Sequence, residues 1–122
     1  MHKSSTQTKR ELAYSAVGTP DYIAPEMLRR VGYTDLVDWW ALGVIIYEML
    51  IGYAPFTCES NEEIYYKIEH HQQYLYFPPE VHVSFEVIDL ISRLLTDSDN
   101  RLGRNGTSEI KSHRWFSDIN WN

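Results

Sequence analysis

The alternation of apolar and polar positions sets one stretch of the chain apart. Residues 38–51, DWWALGVIIYEMLI, are apolar nearly all the way round, with Asp38 and Glu48 their only charges. A helix on a protein surface keeps a polar face at a period of 3.6 residues, and this stretch hardly has one. The pattern therefore predicts a buried central helix on which the rest of the chain packs. The stretch is too short and too interrupted to cross a bilayer, which takes about 20 apolar residues. The acid in its first turn, Asp38, then needs a reason, because buried carboxylates are rare unless hydrogen-bonded.

The other elements follow from turn and cap signals. Residues 1–13 are polar without apolar periodicity and read as a flexible lead-in. Gly18, Pro20 and Pro25 punctuate residues 14–25 as a loop. Residues 26–30 form a short helix that Gly32 ends. Thr34 or Asp35 can cap the central helix, and Gly52 stops it. Residues 53–57, with Pro55, make a turn. Ser60 and Glu63 have the spacing of a capping box, which opens a helix running to about His70. Residues 71–83, with Pro78 and Pro79, read as extended or irregular. Ser84 caps a helix over residues 85–95, where Val87, Ile88, Ile91, Leu94 and Leu95 recur at helical spacing. A polar loop over 96–106 leads to a last short helix at 108–113, capped by Thr107. Trp115, Phe116, Ile119 and Trp121 are expected to pack back on the core. The fold class is mostly α, with four or five helices and no convincing strand pair.

Composition narrows the setting. A chain of 122 residues holds at most one domain. Four Trp and nine Tyr call for a substantial core or a large interface. The formal charge of −6 argues against nucleic acid, which selects basic patches. Cys58 is the single cysteine, so no internal disulfide forms, and a reducing compartment is expected. No apolar run near Met1 resembles a signal peptide. His70, His71 and His113 have no metal-ligand spacing with Cys58. Asp97 and Asp99 suggest a calcium loop, but Arg101, Leu102 and Ser108 stand where such a loop needs an oxygen ligand, a glycine and a glutamate.

The most specific stretch is residues 17–26, VGTPDYIAPE, followed by DWWALGVIIYEML and later DNRLG. Together these closely resemble the serine/threonine protein kinases. Ala24-Pro25-Glu26 matches the A-P-E signature that closes a kinase activation segment. The Asp38-Trp39-Trp40 form, the run from Gly18 to Tyr22 and Arg101-Leu102-Gly103 resemble the AGC group. Leu12-Ala13-Tyr14-Ser15, Met49 to Tyr53, Phe77-Pro78-Pro79 and Glu109 to His113 resemble its NDR/LATS branch. The resemblance covers about residues 8–122. It implies the C-terminal part of a kinase large lobe, from activation segment to last helix, around the central helix 38–51. Residues 1–13 are then a lead-in or activation-segment remnant, and 14–122 a partial kinase domain.

The resemblance also assigns roles. Ser15 falls at an activation-loop phosphosite, where phosphate adds roughly −1.5 to −2 charge. Its usual Arg partner, in the H-R-D motif, is not in this chain, and the plainer reading is an ordinary exposed serine. Thr19 matches the threonine that positions substrate beside the catalytic Asp, against a plain reading as a turn residue. Gly18, Pro20 and Tyr22 shape the pocket next to the phosphoacceptor. Glu26 and Arg101 are implied to form a buried ion pair tying the activation segment to the lobe, against two exposed charges of little worth. Asp38 would accept backbone N–H groups of the H-R-D loop, and Trp40 and Gly43 would anchor the central helix. A first-turn acid favoured by the helix dipole is the alternative for Asp38.

Equally informative is what these residues omit. A kinase holds ATP and magnesium with a Gly-rich loop, a Lys–Glu pair, H-R-D with its Asn, and D-F-G. None of these occurs in the 122 residues, nor does the hydrophobic tail motif of the group. The resemblance thus implies a parent enzyme, cytoplasmic or also nuclear. It would move the γ-phosphoryl of ATP, with magnesium, onto Ser/Thr of protein substrates under an upstream activating kinase. This chain would supply the activation segment and substrate-side scaffold. It carries no catalytic residue and no metal ligand and is expected to be inactive and poorly soluble alone. A second reading is a short non-catalytic protein that competes for substrates or regulators through residues 15–26 and the helix near Ser60. A third, an unrelated helical interaction module, sits poorly with so many ordered motifs. None of the three calls for nucleic acid or a membrane.

Overall fold

The computed structural model describes residues 20–29 and 34–121. Among them are six α-helices, one 3-10 turn and no strand. The first helix, α1, is Pro25–Leu28, with proline in its first turn. There the missing N–H costs nothing and the ring presets φ.

Helix α2, Leu36–Ile51, is the longest element and starts two residues before the expected 38–51. Thr34 Oγ1 accepts from the Leu36 N–H at 3.3 Å, while Asp35, at the cap position, makes no side-chain cap bond. Gly52 ends the helix at φ 104°, its N–H returning to the Glu48 carbonyl. Only glycine takes that left-handed conformation without penalty. Val37, Trp40, Gly43, Val44, Ile46 and Tyr47 are buried. The other side is open: Ile45 is 43%, Met49 78% and Leu50 38% exposed. The expectation of a helix buried all round is therefore corrected. An apolar pattern shows that a face suits burial, not that a neighbour covers it, and among the described residues α2 packs chiefly on one helix. Asp38 is also exposed, so the burial penalty expected of its carboxylate does not arise.

That packing partner is α5, Phe85–Leu94, opened by Ser84, whose Oγ accepts from the Val87 N–H at 3.2 Å. Val87, Leu90, Ile91 and Leu94 form its buried face. The two helices meet at Gly43, where a Cβ would lie 2.9 Å from both Leu94 Cβ and Leu95 Cδ2. A residue without a side chain is what allows this approach.

Helix α3, Asn61–Glu69, follows Ser60, whose Oγ accepts from the Glu63 N–H at 3.2 Å. The Glu63 carboxylate takes the Ser60 hydroxyl at 3.0 Å, a local variant of the capping box. The chain then re-enters a helix, α4, His71–Tyr74, where irregular structure was expected. The cause is tertiary: the His71 ring is tied to the Ile68 carbonyl and meets Trp40 edge-on with ring centres 5.2 Å apart. Helix α6, Thr107–Lys111, takes Gly106 rather than Thr107 as its cap. Glu109 folds the preceding loop by accepting from the Gly103 N–H at 2.8 Å and from both nitrogens of Asn105. A 3-10 turn, Arg114–Phe116, follows. Of the four residues expected to pack back, Phe116 reaches the core. Trp115, Ile119 and Trp121 stay exposed, Trp121 resting edge-on against Phe116. No helix among the described residues is long and apolar enough to cross a membrane.

Candidate functional site

Of the residues named from the sequence, Pro20, Tyr22, Glu26 and Arg101 gather where segment 20–29 lies on the helical body. Ser15, Gly18 and Thr19 fall outside the described residues. Pro20 is buried, and its carbonyl accepts from the Ile23 N–H at 3.0 Å, closing a turn. Within that turn Tyr22 points to α2, where its hydroxyl donates to Glu48 Oε1. This bond, then burial, then the charges of Glu48 and Asp21 push the phenol up to about 12. Tyr22 therefore stays a neutral donor at every physiological pH. Glu48 had no assigned role. The signal that could have found it is its charge on an otherwise apolar helix, which demands a partner.

Four residues further on, Glu26 is held by a second partner. Arg101 is fully buried, and Glu26 is 6% exposed. The guanidinium spans the carboxylate with two bonds, Nη1 to Oε2 at 2.6 Å and Nη2 to Oε1 at 2.9 Å. Its remaining reach goes to the Thr96 carbonyl, from Nε at 3.0 Å and Nη2 at 2.8 Å, and to the Leu36 carbonyl at 2.8 Å. The Trp40 ring lies 5.3 Å from the guanidinium carbon. A planar fork with several fixed donors suits such a site, and a lysine could not reproduce it. One side chain thereby joins α1, the start of α2 and the loop after α5.

Trp40 is fully buried and stacks on Phe56 at 5.8 Å. Gly43 lies at the α2–α5 contact, and Asp38 is exposed beyond them. The arrangement holds segment 20–26 through two side-chain contacts, Tyr22 to Glu48 and Glu26 to Arg101. Among the described residues no three His, Cys, Asp or Glu are placed to hold a metal ion.

A helical body with a loop ending in Ala24-Pro25-Glu26, pinned to it by a buried arginine, matches the C-terminal helical part of a protein-kinase large lobe. The protein kinase domain family matches residues 2–116, and the chain belongs to that family. Among individual proteins it is similar to serine/threonine-protein kinase CBK1 of Saccharomyces cerevisiae, 53% identical over 117 residues, covering 95% of this chain and 16% of that protein. CBK1 of Eremothecium gossypii is 51% identical over 115 residues, with 94% of this chain and 16% of that protein covered. CBK1 of Pneumocystis carinii is 50% identical over 115 residues, with 94% and 23% covered. The chain therefore spans less than a quarter of the length of these relatives.

Proposed function

We propose that this chain is the substrate-side part of a serine/threonine protein kinase, acting within a longer polypeptide that transfers the γ-phosphoryl of ATP to protein Ser/Thr hydroxyls. The observation that carries the reading is the double pinning of segment 20–26, Tyr22 to Glu48 and Glu26 to Arg101. A loop fixed at both ends presents a preset surface to a substrate, which is what positioning catalysis requires. Residues 14–122 are the partial kinase domain and 1–13 its lead-in. Pro20 and Tyr22, with Gly18 and Thr19, form the pocket wall beside the phosphoacceptor, and Ser15 is the residue an upstream kinase would phosphorylate. Glu26 and Arg101 are architectural, as are Trp40 and Gly43, while Asp38 accepts backbone N–H groups of the H-R-D loop in the longer polypeptide. ATP and magnesium are held by groups outside this chain, in an intracellular setting.

The test uses the longer polypeptide containing this chain. Purified, it phosphorylates Ser/Thr peptides with Mg-ATP, and Thr19→Ala lowers kcat/KM by about tenfold or more. The 122-residue chain alone neither binds Mg-ATP nor transfers phosphate. No transfer by the longer form overturns the reading and leaves a non-catalytic binding protein.

A further inference from the structure

His71 is a buried titratable group that the substrate-side site does not use. It is 3% exposed, and its Nδ1 lies 2.8 Å from the Ile68 carbonyl oxygen. A carbonyl only accepts, so Nδ1 carries the hydrogen, and in the neutral ring Nε2 is an acceptor. Nε2 faces Asp97 Oδ1 at 3.8 Å, and among the described residues neither buried atom has a hydrogen-bond partner. Two opposed acceptors repel. One proton on Nε2 turns the repulsion into an attraction between opposite charges, which can draw the pair into a charge-assisted bond.

The surroundings of the contact are charged. Arg29, at the end of α1, donates from Nε to Glu69 Oε1 at 3.0 Å and lies 3.6 Å from Asp97 Oδ1. Among the described residues two carboxylates, Glu69 and Asp97, share the Arg29 guanidinium, and a charged His71 adds a second cation beside Asp97. The other neighbours are Trp40 on α2, which meets the His71 ring edge-on with Arg101 against its own face, and His70, whose Nδ1 is taken by the Tyr66 carbonyl. Arg29, Glu69, His70, His71 and Asp97 line an open polar cavity of about 240 Å³, which gives protons access.

We propose that His71 and Asp97 form a proton-operated clasp between α4 and the loop after α5, which through Arg29 fastens the end of α1 to the helical body. The clasp is closed when His71 is charged and loosens as pH rises and the ring loses its proton. Because Arg29 follows Glu26 by a few residues, the device bears on the segment that closes the substrate-side loop.

Hydrogen exchange in the full-length protein tests this without recourse to kinase activity. After correction for intrinsic rates, amides of residues 26–29 and 97–101 should be roughly three- to tenfold better protected at about pH 6 than at about pH 8. His71→Gln should abolish the difference. Asp97→Asn should abolish it too and keep the high protection, because its amide can donate to the neutral ring nitrogen. It also serves should His71→Gln fail to fold. Protection independent of pH in the wild type overturns the clasp, and so does a wild-type pH dependence that persists in either variant.

Discussion

Arg101 meets Glu26 across 75 residues of sequence, in a bidentate pair whose side chains are 0% and 8% exposed. No local pattern joins the two, yet together they fix where segment 20–29 lies. A pair this deeply buried is asymmetric in its energetics: the intact pair contributes modestly, whereas one partner left alone is costly. Glu26→Gln and Arg101→Met should each destabilise the folded lobe by about 3–5 kcal/mol, and the double variant by less than their sum. Denaturant unfolding of the four proteins in the cycle measures this. Single losses under about 1 kcal/mol would place the pair with exposed ion pairs.

Gly43 and Gly52 should fail for different reasons. Gly43→Ala puts a Cβ 2.9 Å from Leu94 Cβ, an atom that cannot swing away, so the α2–α5 contact must open. The expected cost is about 1–3 kcal/mol. Gly52→Ala meets nothing within 4 Å and loses stability only through its φ of 104°, by about 1 kcal/mol. Unfolding midpoints measure both, and only Gly43→Ala should also perturb the near-UV signal of the packed core.

Acid should act through Asp89. His113 Nε2 donates to its carboxylate at 2.8 Å and Arg93 Nε at 2.9 Å. These bonds, that from His113 first, hold Asp89 below its ordinary 3.8 against an opposing effect of burial. The folded carboxylate thus binds its proton later than the unfolded one as pH falls. Its contribution to stability is present above about 3.8 and is lost as pH drops through the lower folded value. Thermal unfolding between neutral and strongly acid pH should show a smaller midpoint loss for Asp89→Asn than for wild type. Equal losses would remove Asp89 from the account.

The open face of α2 carries the next expectation. Ile45 and Met49, one turn apart, present apolar surface with Leu50 beside them. The isolated chain should self-associate and bind a hydrophobic dye. Met49→Lys with Ile45→Glu should reduce both without loss of helix signal. Light scattering showing a dye-free monomer of the unmodified chain would contradict this.

Much of the helical fold was legible because its signals are local. Ser60 and Ser84 begin helices by accepting N–H groups three residues on, and Gly52 ends one by its conformation. Helix α4 was not legible, since it depends on the His71 ring meeting Ile68 and Trp40, and Gln72 and Gln73 carry no periodic signal. The C-terminal aromatics misled because apolar character does not say which of Trp115, Phe116 and Trp121 finds a neighbour. At the site, the meeting of Glu26 with Arg101 came from resemblance alone: an arginine in a polar loop gives no sign of burial. Tyr22 was named from the same resemblance, while its partner Glu48 passed as an incidental charge on an apolar helix.

The most direct test of the central claim is the size and activity of the native polypeptide captured by an antibody to residues 60–80. The account predicts a protein several times larger than 14.4 kDa that phosphorylates Ser/Thr peptides with Mg-ATP. A native protein of 14.4 kDa alone, without transfer, would contradict it and make the chain a binding protein.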